Sequence, residues 1–600
     1  MPWHSVLIPV ARQVCSGRSR AWGRCGLVWS GRLKTSERES SYRIKYLIMK
    51  SALKQFLGEI PLTAEVYWQL RQRGKPTGGF SFRKFQAVLP AFYAQAAASS
   101  LRNQPGKHVL LFATLRYWIE HAALLGLSLA GMGHKVTLAY LPYSHWQKPL
   151  SRFDLRRQNT YIQHIFKDAS PLMQAVSFLD FSQEQPFKID GAENEITNIP
   201  LPDELRQSIE AIALEDTQYI QQMENIDRNG KLYRLRLERN TQAAQAALCW
   251  MSKDHPDIVI IPNGSILEFG AVFHVARHLG IPAVTYEFGE QRRRIWFGLN
   301  TKIMRQETQE MWAAYQDRSL TEEQWERVRA LYASRQSASL WENFSRRWQG
   351  APGEGGEKVR ACLGLNSRPV VLLAANVIGD SLTLGRQVFT ENMTDWLVRA
   401  TLALAQRPDI QLVLRVHPGE RYTTGPSVAQ VVGQAFATSP HWAKRVSEGQ
   451  ALPENIHVIP VDSLVNTYDL MQIADLGLVY TTTVGLETAM SGVPVIVAGQ
   501  THYRGKGFTL DPNSWDEFIK MLADILTDPA RYRLSRQQVE SAWSYAYRFF
   551  FDFPMPFPWH LLHFWEDINE WPMRRVLSDE GQTQFAATFS SLVGEPRLWK

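Results

Sequence analysis

Short apolar runs alternate with longer amphipathic stretches along most of this 600-residue chain. Each run has the length of a buried strand, and most intervals between runs carry helical periodicity. Strands that alternate with helices favour parallel sheets with right-handed crossovers. The predicted fold class is therefore α/β, with two Rossmann-like domains facing a central cleft. The runs predict strands at 108–113, 135–140, 257–261, 281–287, 369–374, 410–416, 455–459, 475–480 and 493–498.

Helical patterns flank and interrupt these units. Residues 200–251 form a charged, helical insertion in the first half, and the Gly- and Pro-rich stretch that begins at Gln349 has the strongest linker composition in the chain. The predicted organisation is a basic leader at 1–48, a helical cap at 49–105, a first Rossmann-like domain at 106–348, a linker at 349–366, a second Rossmann-like domain at 367–530 and a helical, aromatic-rich segment at 531–600.

The basic net charge of the chain, +8, comes from its first residues. Residues 1–50 contain ten Lys or Arg against Glu37 and Glu39, which accounts for the whole excess. The remainder is formally neutral, so we predict no nucleic-acid partner. The leader lacks the compact apolar region and cleavage site of a secretory signal. Its composition is compatible with an organellar transit peptide or a disordered extension, and we expect the working protein to begin near Met49.

The remaining composition is that of a soluble or peripheral protein. No run approaches the ~18 consecutive apolar residues of a membrane-spanning helix. The four cysteines are scattered without metal-ligand or disulfide spacing, which favours a reducing compartment. We expect a cytoplasmic location. An aromatic cluster at 549–559 leaves open a peripheral contact with the inner face of the membrane, against the alternative that these rings pack inside the protein.

Arg415, His417 and Pro418 close one of the predicted parallel strands. Ligands of open parallel sheets bind beyond the carboxyl ends of the strands, and Pro418 fixes the turn that directs the imidazole. Such an imidazole can donate to a phosphate oxygen of a departing nucleotide, or it is a core histidine held by a carbonyl. His255-Pro256 precedes its strand instead of following one, and we assign it no function.

Three hydroxyl residues, Thr481, Thr482 and Thr483, follow the strand at 475–480 and precede a helix that begins near Val484. Hydroxyls and free N–H groups at a helix start suit a phosphate, whereas a helix cap alone needs a single Thr. Glu487, in the first turn of that helix, would bind a ribose hydroxyl or stabilise the helix dipole.

Other loops at the same predicted edge carry further candidates. Arg504 and Lys506 belong to a Gly-rich stretch after the strand at 493–498, which we interpret as a basic flap near the phosphates or as a solvated turn. The loop that begins at Ala375 contains Asn376 and Asp380 and leads into a predicted helix. Asp380 would serve as a cleft carboxylate or cap that helix.

The first half contains carboxylates that would take the proton from the hydroxyl group of an acceptor molecule. Glu287 and Glu290 end a strand beside Arg292, Arg293 and Arg294, and a general base for an acceptor hydroxyl would be needed there. Surface charge pairing is the alternative. No Asp-x-Asp triplet occurs in the chain, which argues against a divalent metal on the nucleotide diphosphate. We predict neither a metal nor another cofactor.

These motifs resemble the capsule polysaccharide biosynthesis family. The resemblance covers roughly 369–512 well and 257–300 loosely, and it implies a GT-B fold. In that family the His-Pro pair and a Ser/Thr cluster contact the nucleotide phosphate. The resemblance is carried by His417-Pro418, Thr481 to Thr483, Gly485-Leu-Glu487-Thr-Ala-Met-Ser-Gly492-Val-Pro494 and His502-Tyr503-Arg-Gly-Lys-Gly507-Phe-Thr509.

The leading functional hypothesis is a metal-independent glycosyltransferase that moves a sugar from a CMP- or UDP-linked donor to a growing capsule or surface polysaccharide, or to a lipid-linked oligosaccharide. The predicted catalytic residues are His417, Glu287, Glu290 and Asp380. The predicted substrate-binding residues are Arg415, Pro418, Thr481, Thr482, Thr483, Gly485, Glu487, Asn376, Tyr503, Arg504 and Lys506. The alternatives are a polyol-phosphate transferase, a sugar-nucleotide epimerase and a non-catalytic, membrane-associated scaffold for polysaccharide assembly.

Overall fold

A computed structural model describes residues 49, 52–76, 79–169, 171–181, 200–344, 349–444 and 452–599. The predicted leader at 1–48 lies outside the described residues. Within the described ranges, no helix has both the length and the apolar character that a bilayer crossing requires.

The first half is built on a seven-stranded sheet. Its strands are β1 His108–Thr114, β2 Lys135–Leu141, β3 Met173–Ser177, β4 Ile258–Pro262, β5 Ala283–Glu287, β6 Arg294–Leu299 and β12 Met555–Pro556. Their order across the sheet is β12-β6-β5-β4-β1-β2-β3. β3, β2, β1, β4 and β5 are parallel, and β6 and β12 add an antiparallel edge. The four strands predicted here are present, and three further strands were not predicted.

The second half is built on a five-stranded sheet that is parallel throughout. Its strands are β7 Val370–Ala374, β8 Gln411–Arg415, β9 Ile456–Ile459, β10 Leu476–Val479 and β11 Val495–Val497. Their order across the sheet is β11-β10-β7-β8-β9. All five strands predicted for this half are present.

The two sheets share one strand order. When the strands of each sheet are numbered from its own first strand, the order of the parallel strands is the doubly wound 3-2-1-4-5. This order places one topological switch point between β1 and β4 and another between β7 and β10.

Helices connect the strands and extend both ends of the described chain. In the first half they are Thr63–Val66, Arg83–Ala97, Arg116–Gly131, Arg152–Phe166, Asp203–Gln221, Lys231–Asp254, Phe269–His278, Gln309–Tyr315 and Glu322–Gln336. In the second half and beyond they are Gly356–Cys362, Met393–Ala405, Val428–Thr438, Thr467–Ile473, Val484–Met490, Trp515–Thr527, Arg536–Tyr547, Phe564–Glu570, Met573–Val576 and Asp579–Leu592. The helix predicted directly after the loop at 375–381 is wrong, since turns continue to the helix Met393–Ala405.

The continuous apolar runs fold as strands because both sheets are covered on both faces. β1, β4, β5, β7, β8, β10 and β11 are buried along nearly their whole length, as expected for parallel strands covered by helices. Buried apolar side chains form a large cluster around the first sheet and further clusters around the second.

The C-terminal segment returns to the first half. Met555 of β12 pairs with Ile295 of β6, and Thr588 donates a hydrogen bond to the carbonyl of Pro556 over 2.7 Å. The apolar cluster around the first sheet includes side chains from Met555 to Val593. The first sheet is therefore completed by residues from both ends of the described chain.

The aromatic cluster at 549–559 lies inside the protein. Phe557 and Trp559 are in the core of the first half, and Phe549, Phe551 and Phe553 belong to a cluster with Trp296 and Tyr545. These rings are not exposed to a lipid surface. The membrane contact expected from this cluster, and the scaffold hypothesis that it motivated, lose their structural basis here.

The two halves meet through the loop after the helix Asp203–Gln221. The Glu224 carboxylate accepts hydrogen bonds from the backbone N–H groups of Met393 and Thr394, at 3.2 and 2.8 Å, and so caps a helix of the second half. Gln222 accepts a hydrogen bond from the N–H of Thr424, and its backbone lies so close to Gly425 that a Cβ there would stand 2.2 Å from the Gln222 carbonyl oxygen.

Candidate active site

Three loops converge at the carboxyl edge of the second sheet. β7 lies between β8 and β10, so the residues that follow these strands are neighbours. The Asn376 side chain, after β7, accepts a hydrogen bond from the Thr481 N–H, after β10, over 3.2 Å. A Cβ added to Gly419, after β8, would lie 3.7 Å from Val377. The loop after β7 thus links the predicted His417 and threonine clusters across the switch point.

His417 is fixed by its own turn. It precedes the 3-10 helix Pro418–Tyr422, and its Nδ1 accepts a hydrogen bond from the Gly419 N–H over 2.9 Å. An Nδ1 that accepts this bond carries no proton, so the neutral ring has its proton on Nε2. A Cβ at residue 419 would lie 2.8 Å from Nδ1, which explains the glycine there. His417 therefore presents a defined N–H donor.

Several polar atoms at this edge are buried without a hydrogen-bond partner among the described residues. They are Nδ2 of Asn376, Oγ1 of Thr481 and Nε of Arg415. A buried polar group without a partner costs roughly 1–3 kcal/mol, so such groups are uncommon in native proteins. Three of them on adjacent strand ends indicate a place where water or a ligand completes the hydrogen bonding.

Arg415 brings positive charge to the end of β8. Its guanidinium is buried and donates to the carbonyl of Pro460 over 2.8 Å. Burial, and then the nearby charge of Arg421, lowers the pKa of Arg415 to about 10. The side chain stays cationic at neutral pH. A partly desolvated guanidinium of this kind favours an anion close by.

The three threonines have different surroundings. The Thr482 hydroxyl accepts a hydrogen bond from the Val484 N–H over 3.4 Å, whereas Thr483 makes no side-chain cap bond. The buried Tyr503 hydroxyl donates to the Thr482 carbonyl over 2.5 Å. A Cβ at Gly485 would lie 2.3 Å from that hydroxyl. Tyr503 and Gly485 therefore position the threonine turn by close packing.

Three of the predicted binding residues are held by protein partners away from this edge. Glu487 is buried and pairs with Arg335. Arg504 donates to backbone carbonyls of its own loop, including that of Pro512. Lys506 donates to the Gln309 side chain. These side chains are engaged by protein partners, and their contact with substrate stays a prediction.

Glu287 is the last residue of β5, which lies next to β4 in the first sheet. Its Oε1 accepts a hydrogen bond from the Phe288 N–H over 3.0 Å, and Asn263 donates to Oε2 over 3.4 Å. Burial raises the pKa of Glu287 to about 8, so the carboxyl is mainly protonated at neutral pH. The nearby Tyr117 hydroxyl is buried without a hydrogen-bond partner among the described residues.

Asp380 and Glu287, which belong to different halves, both act electrostatically on Tyr219. Burial, and then the Asp380 charge, raises the pKa of Tyr219 well above its ordinary value. Asp380 stabilises its own turn, since Oδ1 accepts from the Leu382 N–H over 2.9 Å. The two predicted carboxylates therefore lie near a shared tyrosine.

Glu290 and the neighbouring arginines have a different setting. Glu290 is buried and acts electrostatically on Arg335. Arg292 donates to Asp567 over 2.7 Å, Arg293 pairs with Glu570, and Arg294 donates to the carbonyl of Pro554. These arginines fasten the C-terminal segment to the first half.

Glu420 is a residue of this edge that the sequence predictions did not include. Its Oε1 accepts from the Val428 N–H over 2.9 Å, and its buried Oε2 has no hydrogen-bond partner among the described residues. Burial raises the pKa of Glu420 to about 7. Its place three residues after His417 was visible in the sequence, but its burial was not.

A cavity of about 20 Å³ between the halves is lined by Ser265, Lys302 and Arg305 from the first half and by Ser381 and Arg386 from the second. That volume holds about one water molecule. A larger ligand would require the halves to separate at this point. In the described part of the chain, no three His, Cys, Asp or Glu side chains are grouped to hold a metal ion.

No protein-family model matches the chain, and no curated protein matches it. Among solved structures, the chain is similar to the β-Kdo 2,4 transferase KpsC of Thermosulfurimonas dismutans, with 18% identity over 48% of this chain and 79% of that protein and a TM-score of 0.28. The chain is similar to UDP-GlcNAc 2-epimerase of Neisseria meningitidis, with 12% identity over 73% of this chain and 97% of that protein and a TM-score of 0.23. It is also similar to sucrose-phosphate synthase of Thermosynechococcus elongatus, with 13% identity over 73% of this chain and 94% of that protein and a TM-score of 0.24. All three likenesses are weak.

Proposed function

We propose that the protein is a metal-independent glycosyltransferase, which moves a sugar from a nucleotide-activated donor to a growing capsule or surface polysaccharide. The observation that carries the proposal is the group of donors at the carboxyl edge of the second sheet. His417 presents an N–H, and Asn376, Thr481 and Arg415 have buried polar atoms without partners among the described residues. Such donors suit the phosphate of a CMP- or UDP-linked sugar.

The proposed chemistry needs charge stabilisation on the donor side. The bond between the sugar carbon and the phosphate oxygen breaks, and the phosphate oxygen keeps the electron pair. The Nε2–H of His417 and the Arg415 guanidinium would stabilise the negative charge that develops there. Donors placed in a buried site before the reaction stabilise such charge most effectively, because they need not reorganise.

The acceptor side needs a proton acceptor. The acceptor hydroxyl forms the new bond to the sugar carbon, and its proton passes to a carboxylate. Glu287, Glu290 and Asp380 are the proposed candidates. Because the pKa of Glu287 is raised to about 8, its carboxyl would serve as a base efficiently only under mildly alkaline conditions.

Calorimetric binding of CMP-, UDP-, GDP- and CDP-linked sugars tests the donor site, with His417→Asn as the diagnostic variant. Asn retains an acceptor for the Gly419 N–H but lacks the donor at the Nε2 position. We expect the variant to keep its thermal midpoint and to lose about tenfold or more in donor affinity or turnover. Unchanged binding and turnover would contradict the proposal.

His255→Asn is the matched control. His255 also precedes a proline, but it is exposed, ends the helix Lys231–Asp254 and has a left-handed φ of 42°, which Asn tolerates. Its replacement should leave binding unchanged. Product analysis with and without an acceptor separates transfer from epimerisation, because an epimerase converts the nucleotide sugar without an acceptor.

A further inference from the structure

Large exposed apolar side chains are concentrated in one short stretch of the protein. Of the fourteen found among the described residues, eight lie between residues 49 and 70. Leu53, Phe56 and Leu70 are 55%, 64% and 73% exposed. The complete set is Met49, Leu53, Phe56, Ile60, Leu62, Val66, Tyr67 and Leu70. Contiguous apolar surface on a folded protein marks an interaction site more often than scattered residues do.

This stretch forms two short helical segments, at 52–59 and 63–71, which we call the N-terminal hairpin. Leu53 and Phe56 are three residues apart in the first segment, and Val66 and Leu70 are four residues apart in the second, so each pair lies along one side of its helix. Ile60 and Leu62 lie in the turn between the segments, and all six side chains are exposed.

Three charged side chains of the N-terminal hairpin pair with the helix Arg152–Phe166. Lys54 pairs with Asp154 over 2.7 Å, and Arg152 pairs with Glu59 over 2.7 Å. Arg156 binds the Glu65 carboxylate through two nitrogens. A helix on a soluble protein normally buries its apolar side and exposes its charges. Here that arrangement is reversed.

Close packing fixes the N-terminal hairpin in this orientation. A Cβ on Gly58 would lie 2.7 Å from the Phe153 nitrogen, so the first segment lies directly against the helix Arg152–Phe166. Trp68 is buried, and its ring packs near Tyr161. The apolar side is consequently held outward. Leu62, at the turn, adopts a left-handed φ of 59° that normally favours Gly or Asn, yet it exposes a large apolar side chain.

The charges around this surface are positive. Arg71 ends the second segment, Arg73 and Lys75 follow it, and all three side chains are exposed. Both acidic residues of the stretch, Glu59 and Glu65, are neutralised by arginines of the underlying helix. An exposed apolar face bordered by Lys and Arg is typical of helices that lie in the interface of an anionic membrane.

We propose that the N-terminal hairpin docks the protein onto an anionic phospholipid bilayer, with its exposed apolar side chains inserted at the headgroup level and the basic residues against lipid phosphates. A second copy of the chain is a less suitable partner for this surface, because the same basic residues of the two copies would lie close together and repel each other. This surface lies at the opposite end of the sequence from the aromatic cluster at 549–559. The inference does not depend on sugar transfer, since binding is measured without substrate.

Flotation of the full chain with vesicles of phosphatidylglycerol and phosphatidylcholine tests the proposal. We expect wild-type protein to float with these vesicles and far less with vesicles of phosphatidylcholine alone. The triple variant L53S/F56S/L70S should lose roughly tenfold or more in partitioning, because each side chain contributes apolar burial. The charge variant R71Q/R73Q/K75Q should lose a similar factor, and added salt should weaken wild-type binding.

The triple variant L299S/L340S/L464S is the matched control, because it removes three exposed leucines from other parts of the surface. It should float as wild type does. Thermal midpoints check the fold, and Leu70→Ser alone gives a milder test should L53S/F56S/L70S misfold. The proposal is overturned if wild type does not bind anionic vesicles, or if L53S/F56S/L70S and R71Q/R73Q/K75Q bind as wild type does. A wild-type dimer that L53S/F56S/L70S converts to monomer, seen by light scattering, would also overturn it.

Discussion

Thr481 is a predicted binding residue whose buried hydroxyl should disfavour folding. Its hydroxyl is buried without a hydrogen-bond partner among the described residues, next to the amide of Asn376. In Thr481→Val that hydroxyl is replaced by a methyl group of similar shape. We expect the free energy of unfolding to stay equal or to rise by about 1 kcal/mol, while nucleotide-sugar affinity falls about tenfold. Denaturant titration and calorimetry measure the two effects.

Thr488→Val is the control for this change. Thr488 is equally buried, but its hydroxyl donates to the Val484 carbonyl over 2.7 Å. Its loss should lower stability slightly and leave ligand affinity unchanged. Equal affinities of the Thr481 variant and wild type would remove Thr481 from the proposed site.

Glu287 should make stability depend on pH. Burial raises the pKa of its carboxyl to about 8 in the folded protein, above the ordinary value near 4.3 in an unfolded chain. The folded state therefore binds this proton more tightly, and the associated stability is complete below pH ~4 and is lost as pH rises through about 8. Glu287→Gln keeps the shape without the charge.

We expect Glu287→Gln to gain stability relative to wild type as pH increases from 6 to 9. Thermal midpoints of both proteins across this range measure the difference. The comparison with wild type is needed because burial also raises the pKa values of Glu120 and Glu420 to about 7. Both residues therefore affect the slope of stability against pH in either protein. Parallel pH profiles for the two proteins would exclude a raised pKa at Glu287.

Individual site residues could be proposed from the sequence only where the strand ends were clear. His417, Asn376 and Thr481 follow strongly apolar runs, so their shared edge was predictable. The pairing of Glu487 with Arg335 depends on residues 152 positions apart in the chain, and nothing local in the sequence indicates it. The same limit applies to the electrostatic proximity of Glu287 and Asp380.

At the scale of elements, the turn at Thr481 to Thr483 depends on tight packing between the helix Val484–Met490 and the loop that contains Tyr503. Gly485→Ala would place a Cβ 2.3 Å from the Tyr503 hydroxyl and 2.8 Å from Val479. We expect a loss of about 1–3 kcal/mol in the free energy of unfolding, because the surroundings are already filled. Denaturant unfolding measures it.

Tyr503→Phe gives the corresponding rescue test. It removes the hydroxyl that the new methyl group would meet, so G485A/Y503F should be more stable than the sum of the single changes predicts. The rescue should be partial, because Val479 remains. Strict additivity would show that the hydroxyl is not the obstacle.

The strands that the sequence did not predict lie at the edges of the first sheet or next to an edge. β3, Met173–Ser177, is short, has a polar residue at 174 and lies at one edge of the first sheet. β6 is apolar after Arg294, but it directly follows two other arginines, so the local charge obscures the start of the strand. β12 has two residues, one of them a proline. Edge strands need less continuous apolar sequence than central ones, so local patterns identify them poorly.

For the whole molecule, Glu224 is the contact to test, because it caps a helix of the other half. Glu224→Ala should cost about 0.5–2 kcal/mol and increase amide exchange in both the helix Met393–Ala405 and the loop at 222–228. Hydrogen exchange with mass spectrometry resolves the two segments. Exchange that increases in neither segment would show that the contact does not hold the halves together.

Ser427→Ala provides the comparison within one half. Ser427 caps the helix Val428–Thr438 through the Gln430 N–H, so its loss also removes a cap. Exchange should then increase in that helix alone. If amide exchange also increased in the loop at 222–228, the loss of any helix cap in the second half would affect the first half. Glu224 would then have no specific role in joining the halves.

The return of residues 555–593 to the first sheet has a consequence for biosynthesis. A ribosome makes β1 to β6 before the second sheet, but it makes β12 and the apolar side chains that finish the core of the first sheet after the second sheet. The second sheet, whose strands all lie between Val370 and Val497, can close while the first is still incomplete. The half that is translated first is therefore the half that matures last, and a stalled or clipped chain would leave apolar surface of the earlier-made sheet open to chaperones and proteases.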